Sequence, residues 1–175
     1  MLFYYLTMRY LYILLFFSFI SCKTNKASIT SLLSNKIVKA TCDEKALCTV
    51  EVLKNKNYSF DIDSMGKLFP KMIDGENIVI KYTYKLIPPA GVSDAFQSET
   101  LHFVINDDII SELKNEDLQK IKLIYGKNCF CKDIQGFYKV KLGTFSINGS
   151  EVTIKFTIPE VGDRQLVKTV QFSLN

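Results

Sequence analysis

The sequence predicts a mostly β protein, a single antiparallel β-sandwich of the immunoglobulin-like or jelly-roll kind with one short helix. Three observations carry this. Apolar and polar residues alternate with period two from Ile37 onward, turn residues break the pattern at short intervals, and neither an internal repeat nor a second helix-rich block appears. The elements follow in chain order. A strand is expected over 48–53, and another over 58–62, where Tyr58, Phe60 and Ile62 share a face opposite Ser59, Asp61 and Asp63. Asp74-Gly75 is expected to turn the chain, because these residues tolerate positive φ. The clearest run follows at 78–86, with Ile78, Ile80, Tyr82, Tyr84 and Leu86 on one face and Lys81, Thr83 and Lys85 on the other. A strand over 101–105 precedes the one helical candidate, 108–120, where Asp107 or Asp108 would cap the start and Ile109, Ile110 and Leu113 would face inward. Strands are then expected over 121–125, 137–142, 144–147, 152–158 and 166–174, with Asn148-Gly149 as the hairpin turn before Val152. A partly open barrel is the alternative arrangement of the same strands.

Three parts divide the 175 residues: a leader over 1–21, a tether over 22–36 and the β-domain over 37–175. In the leader, Arg9 is followed by an apolar stretch over 10–20 broken only by Ser18. A membrane-spanning helix needs about 20 apolar residues, so this length fits a cleaved signal-peptide core. The segment ends Phe19-Ile20-Ser21-Cys22, which resembles the lipobox of bacterial lipoproteins. That resemblance implies acylation of Cys22 and cleavage on its N-terminal side. Because two or more acyl chains anchor stably, membrane attachment through the lipid is expected. Lys23 stands where an inner-membrane retention signal would place Asp, and no acidic cluster follows, so the resemblance implies an outer-membrane protein facing the periplasm. The tether would span on the order of 20 Å, although Ile29, Leu32 and Leu33 offer apolar groups for packing on the domain.

Charge narrows the function classes. Of 22 Lys and Arg residues only Arg9 lies in the leader, which leaves 21 against 18 acidic residues after cleavage. So small an excess, with no basic run, gives no electrostatic footprint for nucleic acid. His102, the only histidine, lies in a strand between Leu101 and Phe103 and points opposite to both, which predicts a peripheral, partly exposed residue. No nucleophile elbow and no Gly-rich phosphate loop is present, so no catalytic residue and no cofactor are assigned. Asp61-Ile62-Asp63-Ser64-Met65-Gly66 begins like a calcium loop but has Met65 at its fifth position and Met72 at its twelfth, where a bidentate Glu is required. No metal site is assigned there. Asp63-Ser64-Met65 resembles the short acceptor motif of Bacteroidetes O-glycosylation.

Cys42, Cys48, Cys129 and Cys131 form an even set in a chain expected to be exported, which predicts disulfides. Cys48 shares the parity of Val50 and Val52 and so faces the core. In an extended strand Cys129 and Cys131 would stand about 6–7 Å apart, which opposes a bond between them. Bridges from that strand to the Cys42–Cys48 corner are therefore favoured over a local Cys42–Cys48 pair. A thiol–disulfide or metal-binding role for Cys129 and Cys131 is the functional alternative. The loop from Pro88-Pro89 to Phe96 is the longest irregular stretch. Phe96 reads either as an anchor pinning the loop to the core or as a contact for an envelope partner.

Lys, Asn and Ile usage, the lipobox and the run Cys-Phe-Cys-Lys-Asp-Ile-Gln-Gly-Phe-Tyr-Lys-Val at 129–140 resemble small β-rich lipoproteins of flavobacteria and other Bacteroidetes. The resemblance implies a lipid-anchored envelope protein with a non-enzymatic binding or structural role, and no particular activity.

Overall fold

A computed structural model describes residues 37–40, 42–92, 96–106 and 111–174. The leader, Cys22 and the tether lie outside the described residues, as do Asp107, Asp108, Ile109 and Ile110. The described strands form two antiparallel sheets, as the alternation predicts. The first lays β1 (Ile37–Lys39), β2 (Ala46–Ile62), β3 (Leu68–Leu86), β4 (Gln97–Ile105), β6 (Ile124–Cys129) and β7 (Gly136–Lys139) side by side in that order. The second runs β10 (Thr169–Ser173), β9 (Glu151–Thr157), β8 (Leu142–Asn148) and β5 (Glu112–Lys114).

The main core lies between the sheets and uses the inward parity read from the sequence. Cys48, Val50 and Val52 of β2 are buried there beside Ile78, Ile80, Tyr82 and Tyr84 of β3 and Leu101, Phe103 and Ile105 of β4. From the second sheet come Phe145, Ile147, Val152, Ile154, Phe156, Val170 and Phe172, and Phe103 meets Phe145 edge-on at 5.6 Å between ring centroids. Fully burying a side chain such as Ile80 or Phe103 stabilises the fold by about 1.5–3 kcal/mol.

The opposite face of the first sheet carries a second, smaller core. The β2–β3 hairpin is far longer than its two predicted halves, because 58–62 continues the first strand instead of forming another. At Lys54/Lys56 the register jumps: Lys54 pairs with Ile78 and Lys56 with Asp74. Asp74-Gly75 is therefore part of a bulge within β3 and not the predicted turn, and Asn55, at φ 57°, takes the left-handed conformation opposite it. The true turn is at 63–67. Asp63 Oδ1 accepts hydrogen bonds from the Met65 and Lys67 amides, and Gly66 supplies the positive φ of 77°. Beyond the bulge the ribbon curls over the sheet until Leu68 pairs with Phe137 of β7, so the first sheet closes on itself at one point. Tyr58, Val79 and Val104 are buried inside this curl with Leu53 and Phe60 against them. Gly126 makes the closure possible: the Phe137 ring lies over it, and a Cβ there would stand 2.6 Å from the ring and from Thr100 Oγ1. The shared face predicted for Tyr58, Phe60 and Ile62 exists, yet it serves this small core and leaves Ile62 70% exposed.

The predicted helix over 108–120 is replaced by strand β5 and a 3-10 helix at Asn115–Ile121. Leu113 is inward as expected, but through pairing with Phe145 of β8; a free edge of the second sheet competes for these backbone groups and wins. Leu118 and Ile121 of the 3-10 turn are buried, and Lys122, at φ 50°, ends it.

Candidate functional site

The four domain cysteines pair locally. Cys42 is joined to Cys48 and Cys129 to Cys131, with Cα–Cα distances of 5.9 and 5.2 Å. The expected bridge between the two segments is not formed, for a topological reason: β3 and β4 lie between β2 and β6, and three strand spacings amount to about 14 Å. The expectation against a Cys129–Cys131 bond assumed an extended backbone, whereas β6 ends at Cys129 and the chain bends at Phe130. Digestion without reductant should keep Cys42 linked to Cys48 and Cys129 linked to Cys131; a peptide joining the two segments would overturn this pairing.

The Cys129–Cys131 closure determines where Phe130 goes. Cys129 is buried and Cys131 packs against the main core, so the residue between them is turned outward and is 87% exposed. Gln97 pairs with Cys129, so Phe96 and Phe130 occupy the next positions along the two neighbouring strands. Phe96 does not pin its loop to the core. It is exposed, with the Lys85 ammonium 5.6 Å from its ring centroid. Leu47, paired with Lys85, and Ile87, two residues beyond Lys85, have the same outward parity, and both are exposed. Pro88 and Pro89 continue this edge as exposed residues. Leu47, Ile87, Phe96 and Phe130 thus form an apolar patch at one end of the outer face, a feature that marks interaction sites on soluble domains. Sequence reasoning found Phe96, Pro88 and Pro89 and missed Phe130. The signal was the Cys-x-Cys spacing, since a bond between those sulfurs leaves the middle side chain no inward space.

His102 is not the peripheral residue expected. It points opposite to Leu101 and Phe103 as read, but that direction leads into the small core, where it is 8% exposed. Tyr58 Oη lies 2.8 Å from His102 Nδ1, the two rings stack at 5.5 Å, and Phe137 approaches edge-on at 6.1 Å. Burial, assisted by the nearby Lys81 ammonium, holds the imidazole pKa down to about 4. Burial likewise raises the Tyr58 hydroxyl well above its usual range, with Glu51 adding to the shift. Nε2 has no hydrogen-bond partner among the described residues. A neutral imidazole closed in by aromatic rings, with no nucleophile at hand, is packed as a structural residue.

The other buried polar group was not anticipated. Glu99 and Lys127, opposite each other on β4 and β6, form an ion pair of 2.6 Å with both side chains 1% exposed. Glu99 also accepts from the amides of Leu166 and Val167, and Lys127 donates to the Arg164 carbonyl. Gln165 completes the arrangement: it accepts from the Ile158 amide and donates to the Phe156 and Val167 carbonyls. These bonds tie the segment before β10 to the first sheet, so the buried charges act as an inter-sheet clamp.

Among the described residues no group of three or more His, Cys, Asp or Glu side chains is placed to hold a metal ion. No described helix is long and apolar enough to cross a membrane. Comparison with family models, with curated proteins and with solved structures finds no match for this chain.

Proposed function

We propose that this chain is a lipid-anchored protein of the bacterial cell envelope that binds a protein partner through the Phe96–Phe130 end of its sandwich. The carrying observation is the apolar patch of Leu47, Ile87, Phe96 and Phe130, which a short disulfide loop holds outward. The lipobox-like Phe19-Ile20-Ser21-Cys22 supports the anchor, and Lys23 supports an outer-membrane, periplasm-facing location. The role is binding rather than catalysis, since the one histidine is sealed in a core.

A photo-crosslinker placed at Phe130 in living cells should give one discrete adduct that Phe96→Ser removes. The same probe at the exposed, distant Lys155 should give none. As surface substitutions, Phe96→Ser and Phe130→Ser should each change stability by no more than about 0.5 kcal/mol. Cys22→Ala should release the protein from membranes. No adduct, equal adducts at both positions, or a Cys22→Ala protein that stays in the detergent phase would each count against the proposal.

One observation favours a second reading, an envelope thiol–disulfide or metal-binding protein using Cys129 and Cys131: these two are joined across a single residue at a bend. Selective, rapid reduction of that pair by a small dithiol, with Cys42–Cys48 intact, would favour it over the binding module.

A further inference from the structure

The closure of the first sheet leaves a gap. β3 and β7 meet only at Leu68 and Phe137, and beside that contact they part around a groove of about 530 Å³. Ile62, Leu68 and Phe137 give it an apolar lining, and Lys67, Lys139 and Lys141 bring three ammonium groups to it. Asp133 and Glu160 also line it, which leaves an excess of one positive charge. Among the described residues none of these three lysines is ion-paired. Lys67 Nζ instead donates to the Gln135 carbonyl at 3.2 Å, and Lys139 Nζ lies 5.5 Å from the centroid of the Phe60 ring. On β7, Tyr138 and Lys139 pair with β6 on one side and have no strand partner on the other.

We propose that this groove is a strand-addition site that takes an extended, acidic polypeptide segment. An open strand edge supplies unpaired amides and carbonyls to which an incoming strand adds by backbone hydrogen bonding. Alternate side chains of that strand point to opposite faces, so one set meets the apolar lining while acidic groups in the other reach the lysines. The same lysines disfavour a second copy of this chain, because like charges brought together across an interface are repelled. The Lys67–Gln135 bond links the hairpin turn to the β6–β7 loop and so holds the two walls together. The groove shares no residue with the Phe96–Phe130 patch, so either site can fail without the other.

The test uses a short fluorescein-labelled peptide of alternating Val and Glu, followed by anisotropy against the full chain without its leader. Saturable binding is expected for this peptide and not for its Val-Lys counterpart. Lys139→Glu/Lys141→Glu should weaken binding about tenfold or more, with an unchanged denaturation midpoint, since both positions are exposed. Methylating the peptide amides along one edge should weaken it comparably, because it removes the ladder bonds. Phe130→Ser should have no effect. Absence of binding, indifference to the lysine reversal, or equal binding of the methylated peptide or of an oligogalacturonate would overturn the proposal, the last by showing a simple polyanion site.

Discussion

Lys127→Met is expected to destabilise the protein by about 3–5 kcal/mol, the cost of leaving a buried carboxylate without its cation. Glu99 would keep the Leu166 and Val167 amides but lose the ammonium 2.6 Å away, inside a region where both side chains are 1% exposed. A typical domain has about 5–15 kcal/mol in total, so the variant should unfold at a much lower denaturant concentration. Glu99→Gln combined with Lys127→Met should recover part of the loss. The charge is then gone from both sides, and the Gln carbonyl still accepts one of the two amides. The measurement is a denaturant titration of the three variants against the parent. A cost below about 1 kcal/mol for Lys127→Met would mean that the pair is solvated and that the clamp does not hold the segment before β10.

The second large effect is a loss of stability in acid that traces to one residue. The imidazole of His102 has a pKa of about 4 in the fold, against an unperturbed value of 6.5. Between those values the unfolded chain binds a proton that the folded protein does not, so stability falls as the pH falls. The contribution is fully present above pH 6.5 and is lost progressively down to about pH 4. At 1.36 kcal/mol per pKa unit it amounts to about 3 kcal/mol. His102→Gln should remove most of this slope while costing some stability at neutral pH, through the altered bond to Tyr58. Unfolding free energies between pH 7 and 4 decide it: parallel curves for parent and variant would show that carboxylates, and not His102, govern the acid limb.

Both effects arise where sequence reasoning stopped one step short. The alternation located the strands and the inward faces of β2, β3, β4 and β9, since a period of two survives any tertiary detail. The same rule, carried further, places Glu99 on the parity of Leu101 and Phe103, and Lys127 on that of Tyr125, hence both inside. Charge made them look solvated, and only their pairing across β4 and β6 reconciles burial with ionisation. His102 was read as exposed because an outward parity ordinarily leads to water. Here the β2–β3 ribbon curls over that face, and nothing local records it: the decisive contacts, Tyr58 to His102 and Leu68 to Phe137, join distant segments. Phe130 was hidden for a different reason. Its exposure depends on the Cys129–Cys131 bond, which an assumed extended backbone had excluded. The helix over 108–120 failed because an available strand edge outcompeted a weak local preference.

The curl also divides the molecule energetically. Tyr58, Val79, Val104 and His102 form a small core that shares the first sheet with the large one but touches it only through the strands' opposite faces. At the hairpin's far end, the pair Leu68–Phe137 is the only ladder contact to β7. Lifting the distal half of the hairpin would therefore unzip a handful of contacts and wet His102, while the layer between the sheets stayed dry. Such a chain need not unfold as a single cooperative unit. It has a low-energy partial opening available to it, and protonation of one imidazole favours that excursion over global collapse.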